Sequence, residues 1–203
     1  MENNLKTYNS KDILITGGAS FIGSHLVELL LDSGANITVI DDLSYGKAEN
    51  LSEVETDIKF VMGDVRSPDI LSKEMKKVEI VFNLAAMHGG RGYIETHPVE
   101  CMNNMLLDHI VFENAVKSGV ETIVHASSAC VYPTNLQDDE KDRYLLAEDD
   151  ANFEEPGKAF SDGEYGWAKL MGELQLNAFH KQYGINGAAA RIFTAYGERE
   201  NES

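Results

Sequence analysis

The sequence predicts a doubly wound, parallel α/β sheet, and three observations predict it. Short apolar runs alternate with segments of helical periodicity along most of the chain. The runs are apolar throughout, which is the pattern of strands covered on both faces. The first run ends in a glycine-rich turn, TGGASFIG at 16–23, set between a strand and a helix.

The elements follow in order. DILITG (12–17) reads as the first strand. FIGSHLVELLLDSG (21–34) has helical spacing, with Ile22, Leu26, Leu29 and Leu30 on one face and Gly34 as the stop. NITVIDD (36–42), IKFVMGD (58–64), VEIVFNLAA (78–86) and VETIVHASS (120–128) read as the next four strands. One long helix is predicted over about 100–117, closing at Ser118-Gly119. Another, EYGWAKLMGELQLNAFHKQYG (164–184), closes at Gly184, and INGAAARIFTAYG (185–197) reads as the sixth strand. Segment 135–163 breaks the rhythm. It carries Asp138, Asp139, Glu140, Asp142, Glu148, Asp149, Asp150, Glu154 and Glu155, and reads either as a lid or as a solvated acidic insertion.

Composition narrows the function. A formal net charge of −17 opposes nucleic-acid binding, which needs Lys and Arg to neutralise phosphates. It does not oppose a small phosphate ligand held by local backbone amides. No apolar run is long enough to span a membrane, and the polar start MENNLKTYNSKD lacks the apolar core of a signal peptide. The expected compartment is the cytoplasm, where the two cysteines stay reduced. No metal site is expected: there is no C-x-x-C or H-E-x-x-H spacing, and His88, His97 and His125 are scattered.

The glycine-rich turn suits a pyrophosphate, because the chain must turn sharply, approach the ligand closely and present free helix amides. Asp41 closes the second strand, where a carboxylate bonds both ribose hydroxyls and repels a 2′-phosphate. That favours NAD over NADP, and Asp42 beside it adds to the preference. Asp64, after the third strand, is placed to reach an adenine edge. The alternative for Asp41 and Asp64 is turn chemistry at strand ends.

TGGASFIG, IDDLSYG, GDVR, NLAA, NNM, SSACVYP, YGWAK and RIFTAYG occur in this order over nearly the whole chain. In this the chain resembles the extended short-chain dehydrogenase/reductase family, the NAD-dependent sugar-nucleotide epimerases and dehydratases. It departs from the family's usual residues at Ser20, Thr194 and Glu198. The resemblance implies a Rossmann domain over 1–203 that holds NAD through Gly17, Ser20, Phe21, Ile22, Gly23, Asp41, Asp42, Asp64, Val65, Leu84, Ala85 and Ala86, with Tyr165 and Lys169. It also implies a nucleoside-diphosphate sugar near Gly89, Gly90, Arg91 and Ser128, and a homodimer at full length.

Tyr165 and Lys169, four residues apart on a helix, point to one face. A lysine ammonium beside a phenol favours the phenolate, so the Tyr165 pKa is expected to fall from about 10 toward neutrality. The family role is a base that takes a sugar hydroxyl proton at C4 while NAD takes the hydride, with Ser128 orienting the hydroxyl. Ser127 and Ser128 also suit plain strand-end hydrogen bonding.

Cys130 separates the subfamilies. Dehydratases carry a Glu at its position, simple 4-epimerases a small or non-titrating residue, and the GDP-mannose 3,5-epimerases a cysteine that moves a carbon-bound proton. AAMHGGRGYI (85–94) is also similar to the substrate loop of that subfamily. The expected activity is therefore an epimerisation through a C4 ketone with Cys130 as acid/base. A UDP-sugar 4-epimerase, a 4,6-dehydratase and a non-catalytic NAD-binding module stand as alternatives. Cys101, within a helix, reads as core. Family members continue for roughly another hundred residues beyond the sixth strand, so the chain is expected to be an N-terminal fragment with its substrate domain largely absent.

Overall fold

The computed structural model describes residues 5–137 and 145–200. Six strands form its centre: β1 (Asp12–Thr16), β2 (Asn36–Asp41), β3 (Lys59–Met62), β4 (Ile80–Asn83), β5 (Thr122–Ser128) and β6 (Asn186–Ile192). All neighbours are parallel, and the order across the sheet is β3-β2-β1-β4-β5-β6. The chain reverses direction across the sheet between β1 and β4. This leaves a crevice at the carboxyl ends of those two strands, where such sheets bind ligands.

Six helices cover the sheet: α1 (Phe21–Asp32), α2 (Pro68–Glu74), α3 (Arg91–Thr96), α4 (Pro98–Met102), α5 (Asn104–Ser118) and α6 (Gly163–Tyr183). Apolar-throughout strands feed two cores. Leu14, Ile40, Val81 and Ile123 pack against Val111 and Phe112 of α5 and Leu176 and Phe179 of α6. On the opposite face Ile13, Ile15, Ile37 and Val39 meet Val27 and Leu30 of α1. Each such buried side chain stabilises the fold by about 1.5–3 kcal/mol.

Several expectations are corrected. On α1 the buried positions are Gly23, Ser24, Val27 and Leu30, whereas Ile22 and Leu29 are exposed. The turn decides this. Gly23 lies so close to Gly17 that a Cβ would come within 2.3 Å of the Gly17 carbonyl oxygen, and that contact sets the rotation of the helix. The predicted helix over 100–117 is two helices, α4 and α5, meeting at Asn103. Asn104 is buried, and its amide clasps the backbone of Met87, accepting from N at 2.7 Å and donating to O at 2.8 Å. Helix α2 was not foreseen; Pro68 opens it at the first turn, where a missing N–H costs nothing. The outer strands are not covered on both faces: β3 and the first five residues of β6 are largely exposed.

The acidic segment is anchored where it is described. Asp138, Asp139, Glu140 and Asp142 lie outside the described residues. Beyond them, Ala151 joins Val131, Tyr132 and Leu170 in a small core with Leu146, Phe153 and Trp167. Asp162 N donates to Cys130 O at 2.9 Å, and Thr134 N to Phe160 O at 3.2 Å. Among the described residues no helix is long and apolar enough to cross a membrane.

Candidate active site

The glycine-rich turn is built by contacts only glycine permits. Gly17 sits at φ +71°, and a Cβ on it would meet Ala85 N at 2.9 Å. Ser20 caps α1 with extended angles, φ −78° and ψ 175°, so no glycine is required there. Its hydroxyl donates to Gly17 O at 2.6 Å, fastening the turn on itself. Phe21 and Ile22 follow at the head of α1.

The three aspartates combine both readings. Asp41 is buried at the end of β2 and accepts Ala19 N and Leu43 N, each at 2.9 Å. Burial raises its pKa, and those two amides oppose the rise. Asp42 accepts Ser44 N at 2.9 Å, and Asp64 accepts Arg66 N at 2.8 Å, both two residues on. Turn chemistry is thus present, yet Asp41, Asp42 and Asp64 also line one cavity with Gly17, Ser20, Val65, Leu84, Ala85 and Ala86. A carboxylate oxygen with one amide donor keeps acceptor capacity for a second.

A second cavity adjoins the first. Ser20, Phe21, Ile22, Leu84 and Ala86 form one wall, and Ser128, Tyr165 and Lys169 the other. Ser20, Leu84, Ala86 and His88 belong to both cavities. Ser127 also lies on the cavity wall, but it is buried and its hydroxyl is committed to Glu173 Oε1, to which it donates at 2.5 Å. Ser128 caps the 3-10 turn Ala129–Val131 by accepting Cys130 N at 3.1 Å, which leaves its proton available to donate. Lys169 is 3% exposed, donates to Ala126 O at 2.8 Å, and lies 5.9 Å from the centre of the Tyr165 ring.

The expected fall in the Tyr165 pKa is not what this environment produces. Burial holds the phenol above its ordinary range, Cys130, Cys101 and Asp108 add to the rise, and the Ser128 hydroxyl draws it back. Lys169 is itself pulled down by burial, which weakens the cation meant to favour the phenolate.

Cys130 is half-buried beside Tyr165 and is not on the walls of the second cavity. Gly89, Gly90 and Arg91 also stand off those walls. Gly90 caps the short helix α3, and Arg91 pairs with Glu95 at 2.9 Å and Asp162 at 2.8 Å. Two residues have a place at the cavities that the sequence reading does not assign them. His88 bridges the two cavities, and its imidazole stacks on Tyr45 with centroids 5.2 Å apart. Burial, then the Lys169 charge, lowers the His88 pKa. A histidine three residues past NLA was the available signal.

A sequence profile of the NAD dependent epimerase/dehydratase family matches residues 13–203. The chain belongs to the NAD-dependent epimerase/dehydratase family. It is 36% identical over 186 residues to GDP-mannose 3,5-epimerase 1 of Oryza sativa subsp. indica, covering 91% of this chain and 47% of that protein. It is 32% identical to a putative UDP-glucose 4-epimerase of Methanocaldococcus jannaschii, covering 93% and 57%. A solved UDP-N-acetylglucosamine 4-epimerase of Methanobrevibacter ruminantium M1, in complex with UDP-N-acetylmuramic acid, superposes with a TM-score of 0.79 at 30% identity, over 95% of this chain and 58% of that one. The chain spans about half the length of the curated relatives it matches. Within this NAD-dependent family the turn is packed as a dinucleotide turn requires: a Cβ on Gly17 would strike Ala85 N and one on Gly23 the Gly17 carbonyl oxygen, and Gly17, Asp41 and Asp64 line one cavity.

Proposed function

We infer that the chain is the cofactor-binding and hydride-transfer part of a nucleotide-sugar epimerase that works through transient oxidation at C4. One observation carries this reading: Ser128, Tyr165 and Lys169 share a cavity with the glycine-rich turn, and that cavity continues into the one lined by Asp41 and Asp64. NAD, when bound, supplies the hydride acceptor and a cationic ring.

The chain's own groups handle the proton. Ser128 donates to the substrate oxygen and orients it. Tyr165 takes the hydroxyl proton, as a base within reach must. Burial raises its pKa, so the phenol is held in its protonated form, and nearby positive charge would favour its deprotonation. Cys130 exchanges the proton on a carbon next to the ketone, in the manner of a GDP-mannose 3,5-epimerase. Gly89, Gly90 and Arg91 contact the nucleoside diphosphate, with Arg91 leaving Asp162 to do so.

Incubation with NAD and a panel of GDP- and UDP-sugars in deuterium oxide tests this. Deuterium at C3 and C5 is the expected outcome. The second reading is a UDP-sugar 4-epimerase, favoured by the position of Cys130 off the cavity walls; it gives C4 inversion without deuterium. No turnover and no NADH removes both readings. Cys130→Ser should lose exchange and keep transient NADH; retention of both would remove Cys130 from the mechanism.

Two further readings accompany this one. Self-association of the full-length protein is assigned to the apolar groove along α4 and α5, where Val99 is 69% and Leu106 53% exposed. Sedimentation should show a dimer that Leu106→Asp dissociates. The cytoplasm is the assigned compartment, in keeping with two unpaired thiols, Cys101 and Cys130.

A further inference from the structure

Beneath Tyr165 and Lys169 lies a buried polar cluster that the reaction above does not use. Thr16, closing β1, donates to Asn83 Oδ1 at 2.9 Å and accepts Leu84 N and Ala85 N at 3.2 Å. Asn83 Nδ2 donates to Asp108 Oδ1 at 2.8 Å and stands 3.5 Å from His125 Nδ1. Asp108 is 1% and His125 0% exposed. Two atoms of the cluster have no partner, Asp108 Oδ2 and His125 Nε2.

Both unpartnered atoms press on the same residue. A Cβ on Gly172 would come 2.6 Å from Asp108 Oδ2 and 2.7 Å from His125 Nε2. Gly172 lies in the middle of α6, one turn past Lys169. Glycine within a helix costs about 1 kcal/mol relative to alanine. Here it lets a carboxylate and an imidazole stand directly against the helix backbone.

Lys169 needs an anion. Its ammonium is buried and donates to one carbonyl, that of Ala126. Burial drives a lysine toward its neutral form unless an opposite charge opposes it. The titratable groups that face this spot come from each packed element: Asp108 on α5, His125 on β5, Tyr165 on α6, His88 after β4, and the thiols Cys101 and Cys130 beside Tyr165. Both histidines are held toward the neutral form by burial and by the Lys169 charge. Burial likewise raises the Cys101 thiol. Asp108 is the carboxylate in the set, and its field favours the Lys169 ammonium.

We propose that Asp108 is a positioning residue whose carboxylate, held by Asn83 and set with His125 against Gly172, is the counter-charge for Lys169 one helical turn away. The Thr16–Asn83 link ties this counter-charge to the strand that carries Leu84 and Ala85, the floor of the cofactor turn. Its value to catalysis rests on the hydride-transfer reading; the charge coupling itself does not.

The coupling is read by NMR on protein labelled with 13C at Asp and Lys, without cofactor or substrate. The Asp108 carboxyl is expected to titrate at about 6, against an ordinary 3.8. Lys169→Met should raise that midpoint by about one pH unit or more, and Asp108→Asn should lower the Lys169 midpoint by a similar amount. An unmoved Asp108 midpoint in Lys169→Met overturns the proposal, as does an unmoved Lys169 midpoint in Asp108→Asn. If Asp108→Asn does not fold, Lys169→Met decides alone. Because no turnover is measured, a negative result leaves the deuterium experiment untouched.

Discussion

Two buried polar clusters flank α6, and they are completed differently. Around Glu173 the strong groups are paired. Arg191 donates to Oε1 at 3.0 Å and Oε2 at 2.8 Å, and Ser127 donates to Oε1. Arg191 also holds Glu148 O at 2.5 Å and Ala151 O at 2.8 Å. Around Asp108 a carboxylate oxygen and an imidazole nitrogen have no partner. A satisfied cluster holds elements together, here β5, β6, α6 and the end of the acidic segment. An unsatisfied one keeps a field to spend on a neighbour, here Lys169.

The largest test of this contrast is Glu173→Ala. It leaves a guanidinium only 15% exposed without its carboxylate, so urea unfolding should show a loss of about 3–5 kcal/mol. A loss under about 1 kcal/mol would show that the satisfied cluster does not fasten β6.

Asp108→Asn comes next, through its pH dependence. The acid is at about 6 when folded and 3.8 ordinarily, so the native state binds the proton more tightly between those values. Wild-type stability should therefore fall as pH rises through that window, by about 2–3 kcal/mol. Asn removes this slope, and the gap between variant and wild type should move by that amount in favour of Asn. A constant gap would mean that Asp108 is not a buried charge.

Smaller effects sharpen the contrast. Ser127→Ala deletes one hydrogen bond to a carboxylate that retains Arg191, and should cost about 1.5 kcal/mol in thermal unfolding. Ser128→Ala removes the cap on the turn at Cys130 and should cost under about 1 kcal/mol. It should nonetheless slow NADH formation about 100-fold, because Ser128 lines the cavity and its side chain hydrogen-bonds Tyr165. Equal effects from the two serines would erase the distinction between them.

The fold was largely legible because its signals are local. Apolar runs, Gly119 and Gly184 at helix ends with φ near +78°, and the turn at 16–23 each act within a few residues. Errors arose where a distant contact overruled the local pattern. Gly23 against Gly17 turned α1 off its most apolar face, and Asn104 reaching Met87 broke the long helix. At the site, spacing along α6 placed Tyr165 and Lys169 together, and the strand end placed Ser128 opposite them. The spacing of His88 past NLA puts it near the turn, but that it joins two cavities follows only from the packing.

By itself the sequence determined the sheet's class, the glycine turn, Asp41 at the end of the second strand and the helical register of Tyr165 with Lys169. These depend on backbone geometry and side-chain period, which operate over short stretches of chain. Only the tertiary structure decided which of two adjacent serines gives its hydroxyl to Glu173, that Cys130 stands off the cavity walls, and that burial lifts rather than lowers the Tyr165 phenol. It also brought Asp108 and His125 from two elements against a glycine of a third. Desolvation and charge–charge energies depend on what packs around a group from every side, and that packing is a property of the assembled layers.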